Sequence, residues 1–273
     1  MSLVARYFTS LVFMVYQKQP FGCFWAPAEI KQLYYAPARF YGILILSGEI
    51  RLNTIFYQGG IMDNYKKIDY HRNIDVVLRY VPGHFITPKS HVNYYMDLSD
   101  MKSRQREARA TGEELAEMYL TTDIVDTILC LNNMEVVGSY LANKLTKAGV
   151  VSANAHKTMY ITTPEFNTSG QMMFRENNKH MIRDKKVLVL IDTASTGSTV
   201  SSAVRSVKYY GGSVIGVAAI FSLATQVGEI PIRSLYSGRD LPDYASYPTD
   251  KCPLCDKSIP VDAICNGYGY SLL

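Results

Sequence analysis

Cysteine is scarce in this chain, five residues among 273 and an odd number, which argues against a disulfide framework and fits a reducing cytosol. Long apolar runs are missing as well. No stretch reaches the roughly 18 residues of a membrane helix, and the short run from Leu11 to Tyr16 behind Arg6 has no small-residue cleavage site after it, so it makes a poor secretory signal. Charge of one sign is not in excess: the net charge is only +4, too little for the clustered basic face of a nucleic-acid binder, while small anionic ligands stay open. A G-x-x-x-x-G-K-[ST] run is absent, which excludes a P-loop. What is present is ordinary for a globular protein, 48% hydrophobic and 19% charged residues, so disorder and fibrous classes fall away.

Aspartate is absent through Ile61, yet this first stretch holds 13 of the 32 aromatic residues without a helical or strand period. Gln58-Gly59-Gly60-Ile61-Met62 is a run that a purine-rich ribosome-binding site and a start codon would encode. Residues 1 to 61 are therefore expected to be an N-terminal extension in the form of a translated leader. The alternative is a membrane-touching or partner-binding extension.

Beyond Met62 the pattern is regular. Helix formers from Ser103 to Leu120 predict a helix with Ser103 as N-cap, followed by an apolar strand at 127–131 and a second helix over about 136–147 that Gly149 closes. Residues 158–162 predict another strand. The polar stretch 164–183 predicts a loop long enough to close over a site. Val187 to Ile191 are five apolar β-formers in a row, the mark of a strand buried on both faces. A helix over 200–210, stopped by Gly211-Gly212, and a buried strand over 213–221 complete a βαβ unit, so the fold class is α/β with a parallel sheet flanked by helices.

Between that strand and helix lies Asp192-Thr193-Ala194-Ser195-Thr196-Gly197-Ser198-Thr199. Open α/β sheets bind ligands at the carboxyl ends of their strands, and a helix N-terminus offers free N–H groups and a positive dipole end to a phosphate. Gly197 permits close backbone approach, and the hydroxyls of Ser195, Thr196, Ser198 and Thr199 add donors. Asp192 suits sugar hydroxyls better than a phosphate. Acid, hydroxyls and glycine together point to a phosphorylated sugar.

Val187 to Thr199 resembles the phosphoribosyl pyrophosphate (PRPP) signature of type I phosphoribosyltransferases, and the likeness extends over most of residues 80 to 260, with orotate enzymes the nearest in pattern. The resemblance implies a Rossmann-like parallel sheet with a small N-terminal hood segment: 62–102 as hood and base-pocket segment, 103–240 as phosphoribosyltransferase core, 241–273 as C-terminal tail. It implies transfer of the 5-phosphoribosyl group of PRPP to a pyrimidine-type base such as orotate, with Mg²⁺ bound mainly through PRPP, in a cytoplasmic homodimer without nucleic-acid or membrane partners. Thr193 to Thr199 would hold PRPP and Asp192 the ribose hydroxyls. Asn132 and Asn133 would serve the pyrophosphate, Arg175 on the 163–183 loop the catalytic step, and Lys89, Tyr94 and Tyr95 the base. Ile191 stands where the family has its first acid, and Glu135 lies in the pyrophosphate loop. Both favour an alternative, a non-catalytic PRPP- or nucleotide-sensing protein. Cys252-Pro253-Leu254-Cys255 resembles an element of some orotate-type enzymes and is expected to be a buried thiol pair. The alternative is half a zinc site, completed by Cys265 and a histidine.

Overall fold

The computed structural model describes residues 42–46, 49–53, 65–121 and 123–273, and the chain divides into two compact units, Met1–Asp63 and Asn64–Leu273. In the first, β1 (Gly42–Leu46) and β2 (Glu49–Asn53) form an antiparallel hairpin. The rest of the expected leader lies outside the described residues.

The second unit opens with an antiparallel meander, β3 (Lys66–Tyr70), β4 (Asn73–Ile86) and β5 (His91–Asp97). Two helices follow, α1 (Ser99–Ser103) and α2 (Gln105–Glu117). The alternating run is β6 (Thr127–Cys130), α3 (Glu135–Lys147), β7 (Tyr160–Thr162), a hairpin of β8 (Glu165–Phe166) and β9 (Met172–Met173), β10 (Lys186–Ala194), α4 (Ser198–Tyr209), β11 (Ser213–Ser222), β12 (Gln226–Val227) and β13 (Ile230–Ser237). The chain closes with β14 (Ser246–Tyr247), α5 (Pro253–Asp256), β15 (Ala263–Asn266) and β16 (Gly269–Leu272). Among the described residues no helix is long and apolar enough to cross a membrane.

The core sheet runs β12-β13-β11-β10-β6-β7, parallel throughout except for the short edge strand β12. This is the expected α/β class. Successive side chains of a strand face opposite ways, and β10 shows the consequence. Leu188 and Leu190 pack with Leu115 of α2 and with Val137 and Leu141 of α3, while Val187, Val189 and Ile191 pack with Val200, Ala203 and Val207 of α4. All of these are buried, each such aliphatic side chain contributing about 1.5–3 kcal/mol on removal from water. One strand thus feeds two cores, and Asp192 falls on the α2/α3 side by the same alternation. The hood sheet is joined to the core where the Tyr236 hydroxyl of β13 reaches the carbonyl oxygens of Ile68 and Val76, at 3.0 and 2.9 Å.

Three local expectations are corrected. Ser103 caps no long helix: Arg104 is extended (ψ 123°), so 99–103 makes a separate turn and α2 starts at Gln105. The helix expected from Val200 begins at Ser198, because Gly197 in the left-handed region ends the loop there. Residues 164–183 are not an irregular loop, since they hold the β8–β9 hairpin and a 3-10 turn at Glu176–Met181. Met172 and Phe174 bury themselves against the α4 side of the core, and the Ser206 hydroxyl of α4 donates to the Met172 carbonyl at 3.0 Å. Within the C-terminal tail, β14, β15 and β16 complete a hood sheet ordered β14-β5-β4-β15-β16.

Candidate active site

A cleft of about 270 Å³ opens where the carboxyl end of β10 meets the hood sheet, close to the lower bound of roughly 300 Å³ for small-molecule sites. Its floor is the run Ile191 to Val200, and its other walls come from the hood and from the β15–β16 turn.

The start of α4 forms one end of the cleft. Gly197 has φ +70°, and a Cβ there would lie 2.7 Å from a Val227 methyl carbon, so both conformation and space demand glycine. Gly197 has no side chain to cap this helix, and the Thr196 hydroxyl reaches only the Ser198 N–H, at 3.4 Å, which leaves later first-turn N–H groups for a ligand. The ammonium of Lys89, expected to serve the base, stands here at the helix start, donating to the Ser198 hydroxyl at 3.1 Å and the Thr199 hydroxyl at 3.3 Å. A cation at the positive end of a helix dipole is electrostatically unfavourable alone, and an anion between the two would turn repulsion into attraction on both sides. Ser195 and Thr196 line the same end. Ala194 is buried strand, its carbonyl accepting from the Leu223 N–H and the Ser222 hydroxyl, both at 3.1 Å.

Asp192 lies at the strand end, 6% exposed. One carboxylate oxygen accepts from the Asn132 amide at 2.8 Å and the Thr193 N–H at 2.6 Å. The other accepts from the Lys102 ammonium at 3.2 Å. Lys102 was not foreseen: it sits in α1, 90 residues before its partner, and nothing around it in the sequence marks it. Its two other bonds go to the carbonyl oxygens of Asn132 at 3.3 Å and Gly267 at 2.9 Å, so all three ammonium protons are used inside the cleft wall.

The pyrophosphate-loop residues divide. Asn132 and Asn133 both adopt positive φ, 53° and 63°, a region asparagine tolerates better than most residues. That turn points the Asn132 amide at Asp192, so it is engaged there and not held open to a ligand. Asn133 is exposed and outside the cleft lining, its amide 3.5 Å from the Gly267 carbonyl. Glu135 opens α3 and does not line the cleft. Its charge faces the favourable end of that helix.

Tyr94 and Tyr95 both line the cleft in different settings. Tyr95 is buried, with Phe85 and Tyr270 rings at 5.9 and 5.2 Å, whereas Tyr94 is half-buried and meets Tyr80 edge-on at 5.5 Å. Tyr244 and Tyr268 join this wall and were likewise unforeseen. Burial and the nearby Asp97 carboxylate push the Tyr95 phenol well above its ordinary range, and burial pushes Tyr244 up to about 12.

Arg175 is not brought into the cleft. It sits next to the β8–β9 hairpin, bound to Glu165 through two contacts of 2.8 and 2.6 Å, with two-thirds of its side chain exposed. Cys265 does not join Cys252 and Cys255 either; it lies on β15 and lines the cleft. Only half of the expected thiol pair is buried, because Cys255 is exposed, and two histidines stand beside it.

An open helix start and a strand-end acid on this α/β frame fit the phosphate and ribose readings of the sequence, and the resemblance to phosphoribosyltransferases read from Val187 to Thr199 is borne out among curated proteins. More particularly, the chain is similar to orotate phosphoribosyltransferases. That of Chlorobaculum parvum is 27% identical over 182 residues, 66% of this chain and 86% of its own. That of Thermotoga maritima is 27% identical over 183 residues, 66% of this chain and 88% of its own. A solved phosphoribosyltransferase from Corynebacterium diphtheriae is 23% identical with a TM-score of 0.40, spanning 55% of this chain and 86% of that one. No protein-family model matches the chain.

Proposed function

We propose that this protein transfers the 5-phosphoribosyl group of PRPP to a pyrimidine-type base such as orotate and releases pyrophosphate. The observation that carries the reading is the Lys89 ammonium on the Ser198 and Thr199 hydroxyls at an uncapped helix start, with the buried Asp192 in the same cleft. The 5-phosphate takes the place between Lys89 and the α4 N–H groups, and Asp192 faces the ribose hydroxyls with the carboxylate oxygen that has only Lys102 as partner. A ring nitrogen of the base then displaces pyrophosphate from C1, through a transition state with positive charge growing on the sugar and negative charge on the leaving group. Lys102 holds the Asp192 carboxylate in its orientation as that charge develops. The tyrosine wall holds the base plane, which is worth about 1–3 kcal/mol per stacked base.

Magnesium fits this cleft as a companion of PRPP. Among the described residues Asp192 is the only carboxylate lining it, and both of its oxygens already have protein partners, so no all-protein cage exists. Mg²⁺ favours phosphate oxygens and retained waters in such sites, where it would neutralise the leaving diphosphate. A homodimer is part of the proposal. Arg175, which lies outside its own cleft, is assigned to the cleft of the second copy.

A sensing protein that binds PRPP without turnover is the second reading, favoured by one observation: Ile191, at the family's first acidic position, is 1% exposed and packed in the α4-side core. The discriminating experiment is PRPP-dependent release of pyrophosphate with Mg²⁺ and a panel of bases. Release with a pyrimidine supports the transferase, and PRPP binding without release for every base supports the sensor.

A further inference from the structure

A second polar cluster lies outside the cleft. His84 of β4, His91 of β5, and Cys252 and Cys255 at the start of α5 each bring one ligand atom to within 4.8 Å of the other three. His84 Nε2 lies 2.9 Å from His91 Nδ1, 3.6 Å from Cys255 Sγ and 3.7 Å from Cys252 Sγ, and Cys255 Sγ lies 3.3 Å from His91 Nδ1. Neither cysteine is in a disulfide. His84, His91 and Cys252 are 1%, 5% and 2% exposed.

We propose that these four side chains bind one Zn²⁺ as a closed structural Cys₂His₂ site. Zinc–sulfur and zinc–nitrogen bonds of about 2.3 and 2.0 Å in a tetrahedron set ligand-to-ligand edges of roughly 3.3–3.8 Å; the three separations that involve a sulfur, 3.3, 3.6 and 3.7 Å, fall on that range, and the two histidine nitrogens, 2.9 Å apart, need only part slightly to admit the ion. The surroundings prepare the ligands as well. His84 Nδ1 is 2.9 Å from the Ile259 carbonyl oxygen, which can only accept, so Nδ1 carries the proton and Nε2 turns its lone pair into the cluster. Such a carbonyl partner on the far ring nitrogen is the usual companion of a metal-bound histidine. A hydrogen-bonded cluster without an ion would crowd several thiol and imidazole protons into one buried space. Two thiolates with one Zn²⁺ remove that conflict and leave the site neutral. Two nitrogens and two sulfurs in this arrangement favour zinc over the hard cations magnesium and calcium. With four protein ligands no position is open for a substrate.

The site joins segments distant in sequence. Beside it, the Asp262 carboxylate accepts the His84 N–H at 2.7 Å, the Asp262 N–H returns to the His84 carbonyl at 2.8 Å, and β15 pairs with β4 at Phe85 and Ile86. The turn that follows β15 carries Gly267, whose carbonyl holds Lys102. The ion therefore staples the cleft wall from the far side, and the inference stands whether or not the protein catalyses transfer.

The test is metal content of the full chain, loaded with Zn²⁺, dialysed, and weighed by native mass spectrometry. One Zn²⁺ per chain is expected, with cobalt substitution giving the visible bands of a tetrahedral site that carries thiolates. Cys255→Ser and His91→Ala should each lower zinc retention at least tenfold, while Cys265→Ser should retain the full complement. If either variant fails to fold, the wild type alone still decides: modification of its thiols must release the zinc to an indicator dye. Wild-type protein that emerges from dialysis without zinc, cobalt protein without tetrahedral bands, or zinc that survives both Cys255→Ser and thiol modification would overturn the site.

Discussion

The two sides of the cleft are built by different means. The core side, Asp192 to Thr199, is one continuous stretch in which a buried strand delivers an acid and a glycine turn delivers an open helix start. The hood side gathers Lys89 and Tyr94, Tyr244, and the turn around Gly267 from three separate parts of the chain. The first gets its geometry from local backbone, and the second from tertiary pairing and, on our proposal, a metal ion. Substitutions on the core side should therefore strike chemistry and PRPP binding directly, whereas those on the hood side should divide between base affinity and stability.

The largest effect is expected at Asp192. Asp192→Asn keeps the shape but leaves the Lys102 ammonium, 11% exposed, without its counter-charge. Removing one partner of a buried pair costs on the order of 3 kcal/mol in stability, and loss of a charge aimed at the transition state should lower kcat/KM by about 10²–10³. The double variant Asp192→Asn/Lys102→Met should recover most of the stability in urea unfolding and none of the activity. Recovery of both would mean that the acid serves only to neutralise the lysine.

Next comes Lys89→Ala. A charge-assisted hydrogen bond contributes about 1.5–3 kcal/mol, so KM for PRPP should rise roughly 10- to 100-fold while the melting temperature holds, Lys89 being exposed. Equal loss with PRPP and with the base would show that the lysine does not belong to the phosphate end. Tyr94→Ala sharpens the comparison from the hood side. Its half-buried ring should affect the base alone, raising KM for the base about 30-fold if stacking contributes near the middle of its roughly 1–3 kcal/mol range. KM for PRPP should stay unchanged in steady-state assays.

The same contrast explains what could be read from the sequence. Five apolar residues followed by acid, hydroxyls and glycine show their fold and chemistry in a row, because strand burial, turn conformation and helix start are local properties. Lys102 shows nothing of the kind. It reaches Asp192 only because Arg104 breaks the helix and α1 turns the lysine inward, and no periodicity encodes that. The cysteine pair was visible by spacing, but Cys265 was a proposal of nearness along the chain, whereas His84 and His91 arrive through the pairing of β4 with β5. Residues 164–183 read as loop because strands two residues long have no measurable alternation; their hairpin is held by Met172 and Phe174 against α4.

The smallest effect on stability is expected at the Glu165–Arg175 pair, which lies outside the cleft of its own chain. Arg175 holds the Glu165 carboxyl below its usual value of 4.5. A carboxyl with a depressed folded-state pKa contributes stability that is present above the unfolded value and lost as pH falls through the folded one. That window therefore lies below about pH 4.5. Both side chains are more than half exposed, at 66% and 52%, and water screens such pairs nearly to nothing. Melting curves of Glu165→Gln and wild type between pH 7 and pH 3 should then superimpose. Activity gives the pair a separate test, since on our proposal Arg175 serves the cleft of a second copy. A mixture of Arg175→Ala with Asp192→Asn, unfolded and refolded together, should regain part of the activity that each lacks alone, because one cleft of each mixed dimer then holds both native residues. A mixture no more active than its components would confine Arg175 to its own chain, and the hairpin would have to move to serve the site.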